Sequence, residues 1–336
     1  MSSGTVGTGS PPGHPDAATP AEVSSVMMGG QDYLSVLLRL TGMELYKLRN
    51  RAMAVVLGTI GVLAIILTFL LITLLAVIFL GSSTTQQEVN SISQLLRLPV
   101  SLYIIVFVLF TLPLGPVLIF ILVGAMVGGE YTTGTVRLLF TRGPARWQFL
   151  VAKMMTAVTC IAIGVVAITL VGLLVGQLLN FITGIAPTFD FFSAAWLGYA
   201  LLYLLSAMFC LFVYAMMSLF LATLGRSTVA GIAGALIWFF VAEPVVKIVC
   251  SISATASKGI TADIARAIPD YLISNNIAAL LANQNQNLFG ARIANFLELF
   301  GSSPLSNLHT LLVLAGYLIL FIGLAWLINE YRDITN

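Results

Sequence analysis

The sequence predicts an all-α integral membrane protein. It has six transmembrane helices, an amphipathic elbow helix ahead of them, a short helix lying across the cytoplasmic face and a helical extracytoplasmic loop. Three observations predict this. Charged residues make up 8% of the 336 residues and hydrophobic ones 59%, with a mean hydropathy of +1.03; soluble domains carry about a quarter charged residues. Six apolar runs reach the ~20 residues that a helix needs to cross a bilayer. The alternating segments of ~10 residues that build a β-barrel are missing.

Residues 1–30 are rich in Gly, Ser, Pro, Thr and Ala. Such a segment buries too little apolar surface to offset chain entropy and reads as a disordered cytoplasmic tail. Residues 31–336 form the six-span domain. The elbow, Gln31–Arg51, repeats Leu34, Leu37, Leu38, Leu45 and Leu48 at helical spacing, with Arg39, Lys47, Arg49 and Arg51 placed to reach headgroups. It either anchors the bundle or also touches a cytoplasmic partner. The spans read as 52–80, 99–127, 149–179, 193–224, 227–246 and 308–328. Lys153 falls early in the third and is expected to snorkel, with Arg146, to the inner headgroups. Glu243 and Pro244 mark the outer edge of the fifth, where Glu243 and Lys247 stand at i,i+4 spacing and can pair. The stretch from Glu243 to Asn307 is too long for a bare connection and reads as a cap of short or re-entrant helices.

Arg and Lys orient the bundle. Ten of them (Arg39, Lys47, Arg49, Arg51, Arg137, Arg142, Arg146, Lys153, Arg226 and Arg332) fall on the faces that carry the termini, and five on the opposite faces. Both termini are therefore expected inside a plasma (inner) membrane. The net charge of +2 excludes a nucleic-acid partner. Three isolated cysteines indicate neither a disulfide framework nor a metal site. No Walker A, HExxH or G-x-S-x-G sequence occurs, and no acid is expected at mid-membrane. The chain therefore reads as neither an ATPase nor a hydrolase, with no cofactor of its own. Uphill transport would need energy from another subunit.

One segment stands out. Gly129–Lys153 (GEYTTGTVRLLFTRGPARWQFLVAK) is a charged, glycine-punctuated loop between two long apolar runs. Gly128-Gly129 reads as the end of the second span and Gly143-Pro144 as the entry to the third. A short helix held between such hinges is a lever on both spans; an ordinary positive-inside loop fits the same charges. Pro113 and Pro116 should kink the second span, as a packing adjustment or as a gate.

The pattern Glu130, Gly134-Thr135, Leu138-Leu139, Arg142-Gly143-Pro144, Arg146, Phe149 and Lys153 resembles the signature of the ABC transporter type-2 permease family. The six-span plan with its elbow extends that likeness across Gln31–Arg332. The resemblance implies that the loop is a coupling helix docking on an ABC ATP-binding subunit, which binds the ATP and Mg. By it, Glu130, Thr133, Gly134, Thr135, Arg137, Arg142 and Arg146 couple to the ATPase, and Arg39, Lys47, Arg49 and Arg51 form the elbow interface. A second permease copy, or a sister permease, faces this one. Cargo passes along the second and fifth spans, by Pro113, Pro116, Trp238, Phe239 and Phe240. The expected function is an exporter permease moving a hydrophobic or amphipathic substrate. The alternative is a membrane scaffold or assembly factor that recruits a cytoplasmic partner.

Overall fold

The computed structural model describes residues 32–82, 98–110, 112–134, 145–182, 192–289 and 305–331. Every regular element among them is helical. In chain order they are α1 (Asp32–Arg49), α2 (Ala52–Ser82), α3 (Leu98–Phe110), α4 (Leu114–Thr132), α5 (Arg146–Ile182), α6 (Ala194–Gly225), α7 (Thr228–Ile237), a π turn (Trp238–Ala242), α8 (Glu243–Ala256), α9 (Ile260–Ala267), a 3₁₀ turn (Ile268–Tyr271), α10 (Ile273–Ala282), α11 (Asn285–Phe289) and α12 (Asn307–Tyr331). Six helical segments are long and apolar enough to span a membrane, so the chain is an all-α, multi-pass membrane protein.

The spans are not equivalent. α4 and α6 are each 56% buried over their spanning windows, against 17–22% for the others, and they form the centre of the bundle. Phe120, Tyr214 and Phe239, from α4, α6 and the π turn, meet edge to face there with ring centroids 5.5–6.2 Å apart. The Ser218 hydroxyl on α6 lies 3.1 Å from the Phe120 carbonyl and 3.2 Å from the Gly231 carbonyl, bonding α6 to both neighbours. Ser193 and Ser227 begin α6 and α7 by accepting the Trp196 and Ala230 N–H groups. An apolar cavity of ≈ 370 Å³ opens between α2, α4 and α5, lined by residues including Gly58, Gly61, Leu118, Cys160 and Gly164.

Three sequence expectations change. The predicted second span, 99–127, is two helices: α3 ends at Phe110 and α4 starts at Leu114, on either side of Pro113. α4 does not stop at Gly128-Gly129 but continues to Thr132. Gly128 is small for a different reason, because a Cβ there would collide with the backbone of Ser227 and Thr228. The fifth span does not end near residue 246. It runs from Thr228 to Ala256 through the π turn, where the Glu243 N–H bonds the Trp238 carbonyl. That widened turn absorbs the donor that Pro244 lacks, so the proline continues the helix. Glu243 then lies roughly 22 Å along that helical segment from Thr228, within the fifth candidate span rather than at its edge.

The segment after α8 is re-entrant. The Tyr317 hydroxyl, about 15 Å into α12 from Asn307, donates to the Tyr271 carbonyl. His309 Nε2 donates to the Asp270 carbonyl (3.0 Å), and Asn276 Nδ2 bonds the Asp270 and Leu272 carbonyls. The 3₁₀ turn is thus held against the first turns of α12. This end of the bundle is called the hairpin end, and the opposite one, beneath α1, the elbow end.

Candidate functional site

Four charged side chains from three helices converge at the elbow end. The face of α1 bearing Leu37, Thr41, Glu44 and Leu48 turns towards the bundle, and Thr41, Glu44 and Leu48 are buried. Spacings of four, three and four residues place them in one line along a helix. Glu44 therefore enters an apolar contact and must meet a cation there. Lys153, 1% exposed, supplies it from α5 and forms an ion pair with Glu44 Oε2. Its Nζ also lies 2.8 Å from Glu130 Oε1, at the end of α4. Lys47 closes the ring, 2.7 Å from Glu44 Oε1 and 3.1 Å from Glu130 Oε1. The Phe149 ring, 5.3 Å from the Lys153 ammonium, completes that cation's surroundings.

Two acids and two lysines leave the cluster neutral, which makes its burial tolerable. Chemically it is a latch, since nothing among the four is placed as a nucleophile beside a base. Burial pushes the Glu44 carboxyl up, but the Lys153 and Lys47 ammonium groups outweigh that and hold it below its ordinary value. For Lys47, burial pushes down while Glu44 and Glu130 pull up, and the balance is raised. The signs set a pH window. A lowered acid gives stability that is present above its unfolded value and lost as pH falls through the folded one; a raised base gives stability lost as pH rises through its folded value. Docking of α1 is therefore expected to hold through neutrality, weaken below about pH 4 and weaken again above about pH 10. Hydrogen exchange of residues 37–48 against pH measures this. Flat protection down to about pH 3 would contradict it.

A second tie flanks the latch. Arg146, at the start of α5, donates to the Asn329 (3.2 Å) and Glu330 (2.7 Å) carbonyls at the end of α12. Asn329 Nδ2 donates back to the Arg146 carbonyl (3.0 Å). A guanidinium there complements the C-terminal end of a helix. Gln148 also accepts the Ala145 N–H, closing the first turn of α5. The segment between α4 and α5 thus leaves and returns through a braced layer.

The sequence candidates divide accordingly. Glu130 is 4% exposed and belongs to the latch. Lys153 does not snorkel, because its ammonium is buried against the Glu44 and Glu130 carboxylates, and Arg146 is bonded to helix-end carbonyls. Thr133 and Gly134 are exposed at the end of α4, where Thr133 bonds back to the Gly129 carbonyl. Gly134 takes φ +70, a left-handed conformation that favours glycine and turns the chain out of the helix. Thr135, Arg137 and Arg142 lie outside the described residues, as does the predicted helix across that face. In the elbow, Arg39, Arg49 and Arg51 are exposed while Lys47 turns inward. Of the path residues, Pro116 is buried and Phe239 packs in the central aromatic cluster. Trp238 and Phe240 face outward at 39% and 51% exposure, and Pro113 sits at the break between α3 and α4. None of the five lines the cavity between α2, α4 and α5.

Sequence reasoning missed Glu44. The available signal was its register: an acid on the same stripe as Leu37 and Leu48, three residues before a lysine. It also expected Glu243 to pair with Lys247, but both converge on Ser274 instead. Glu243 Oε1 accepts the Ser274 N–H (2.6 Å) and Lys247 donates to the Ser274 hydroxyl.

A family model described as "Protein of unknown function (DUF2705)" matches residues 113–335. The match takes in Glu130 and Lys153 and begins after α1, α2 and α3. A search of curated proteins returns no match.

Proposed function

Starting from a chain that belongs to the DUF2705 family, we propose that it is the transmembrane permease subunit of an ATP-driven ABC exporter, working with a separate ATP-binding subunit and a second permease chain. The observation that carries this reading is the latch. It joins α1, the end of α4 and the start of α5, so that force on the segment between α4 and α5 reaches the elbow and two spans together. A loop meant only to connect two helices needs no such brace, and burying three charges of the four is costly when packing alone would serve. The exposed Arg39, Arg49 and Arg51 of the elbow offer a basic rim to an acidic partner surface. The apolar interior of the bundle suits a hydrophobic or amphipathic cargo. The ATP and Mg belong to the partner, and the rim faces the cytoplasm of the cell in which the chain sits.

Affinity purification of the tagged chain from its native membrane tests this. A Walker A-bearing ATPase is expected to copurify stoichiometrically. Its recovery should fall at least about tenfold with Arg137→Glu, which reverses one charge in the sequence segment read as the coupling helix. Recovery of well-folded chain without any ATPase, in mild detergent, would reject the exporter reading in favour of a scaffold.

A further inference from the structure

We propose that Glu243 is a proton-binding site inside the membrane, which clasps the re-entrant hairpin to the fifth span when ionised and frees it when protonated. The proposal is independent of the exporter reading.

Glu243 is 1% exposed and lies in the interior of a 29-residue span. Its two oxygens have unlike surroundings. Oε1 accepts the Ser274 N–H at the start of α10, a helix end that favours negative charge. Oε2 is buried without a hydrogen-bond partner. An ionised carboxylate with one oxygen unsatisfied pays the desolvation of that oxygen. Uptake of a proton on Oε2 lowers this cost by leaving a neutral hydroxyl in place of a charge, but it also removes the charge that strengthens the bond to Ser274. An acid within a membrane span is also rare unless it is used.

The surroundings define what else bears on it. From its own helix, Lys247 lies one turn towards the hairpin end, half-exposed, and bonds the Ser274 hydroxyl. The N-terminus of α10 presents Ser274 and no titratable side chain. Tyr214 from α6 and Tyr317 from α12 are close enough to feel the Glu243 charge. The flanking 3₁₀ turn carries Asp270 and Tyr271, both in contact with His309. The central π turn lies immediately before Glu243, so release of α10 and adjustment of that wider turn involve the same stretch of helix. Protonation leaves Lys247 as the remaining charge on Ser274.

The test uses the full chain in phosphatidylcholine nanodiscs. Infrared difference spectra between alkaline and acidic pH should show a protonated carboxyl band that shifts in Glu243→Asp and is missing in Glu243→Gln. In parallel, hydrogen-exchange protection of residues 273–282 should fall about tenfold on acidification, after correction for intrinsic rates. In Glu243→Gln it should stay at the low value at every pH. Should that variant not fold, the wild type and Glu243→Asp suffice, because the band and the protection change are read in both. A spectrum without a band that moves in Glu243→Asp, or protection of α10 indifferent to pH, overturns the proposal.

Discussion

Lys153→Met is expected to destabilise the protein by about 3–5 kcal/mol, the largest effect of any single charge removal in the chain. The variant keeps the volume of the side chain and deletes the ammonium that meets Glu44 and Glu130. Both acids remain buried, and the ammonium that stays beside them, Lys47, is 41% exposed. The elbow should leave the bundle, and thermal unfolding followed by size-exclusion in detergent should show an early transition. A triple variant, Glu44→Gln, Glu130→Gln and Lys153→Met, removes the buried charges together and should recover most of the loss. Equal stability of Lys153→Met and wild type would show that the cluster is not desolvated as the geometry requires. A recovered triple variant also separates structure from coupling. If the latch transmits force, that variant folds but fails to respond to its partner.

Gly128→Ala is expected to be nearly as damaging, for a steric reason. The added Cβ meets the Thr228 and Ser227 backbone, which cannot rotate away as a side-chain tip would. α4 and α7 must then separate, breaking the Gly124–Gly231 approach above it and loosening the Ser218 bonds. Overpacking of a rigid contact costs about 1–3 kcal/mol or more, and this contact lies at the upper end because both sides are main chain. Gly316→Ala and Gly323→Ala are the controls. Both face open space, and alanine should stabilise those helical positions by up to about 1 kcal/mol. Melting temperatures of the three variants in one detergent decide the matter. A Gly128→Ala protein that melts with the controls would mean that α4 and α7 are not in close contact.

The contrast between these two sites shows where sequence reading stops. Composition made the fold class plain, since so few charges leave no surface for water to dissolve. The elbow was legible from the helical spacing of its leucines, whereas Lys153 was expected to snorkel and Glu130 to belong to the coupling loop, not to one buried cluster. Their partner was less visible. Glu44 sits 109 residues from Lys153, and no local pattern relates the two; only the packing of α1 on α5 brings them together. Gly128-Gly129 looked like a helix end because glycine weakens helices, yet the same residue type also permits close approach, and the neighbour that decides between the two is a hundred residues away.

Glu243-Pro244 failed as a span boundary for a related reason. Proline's missing donor is a local fact, but whether the helix stops or widens depends on what the next turn packs against. Here the turn is held by Phe120 and Tyr214 on one side and by Ser274 on the other.

The sequence by itself determined that the chain lives in a membrane, with six spans, an elbow and a structured loop near the hairpin end, because hydrophobic length and helical periodicity are local properties. Only the tertiary structure decided which charges are buried together, which glycines are contacts and which acid is buried inside a span. Those outcomes depend on desolvation and close packing between residues distant in the chain, and neither leaves a mark on local order.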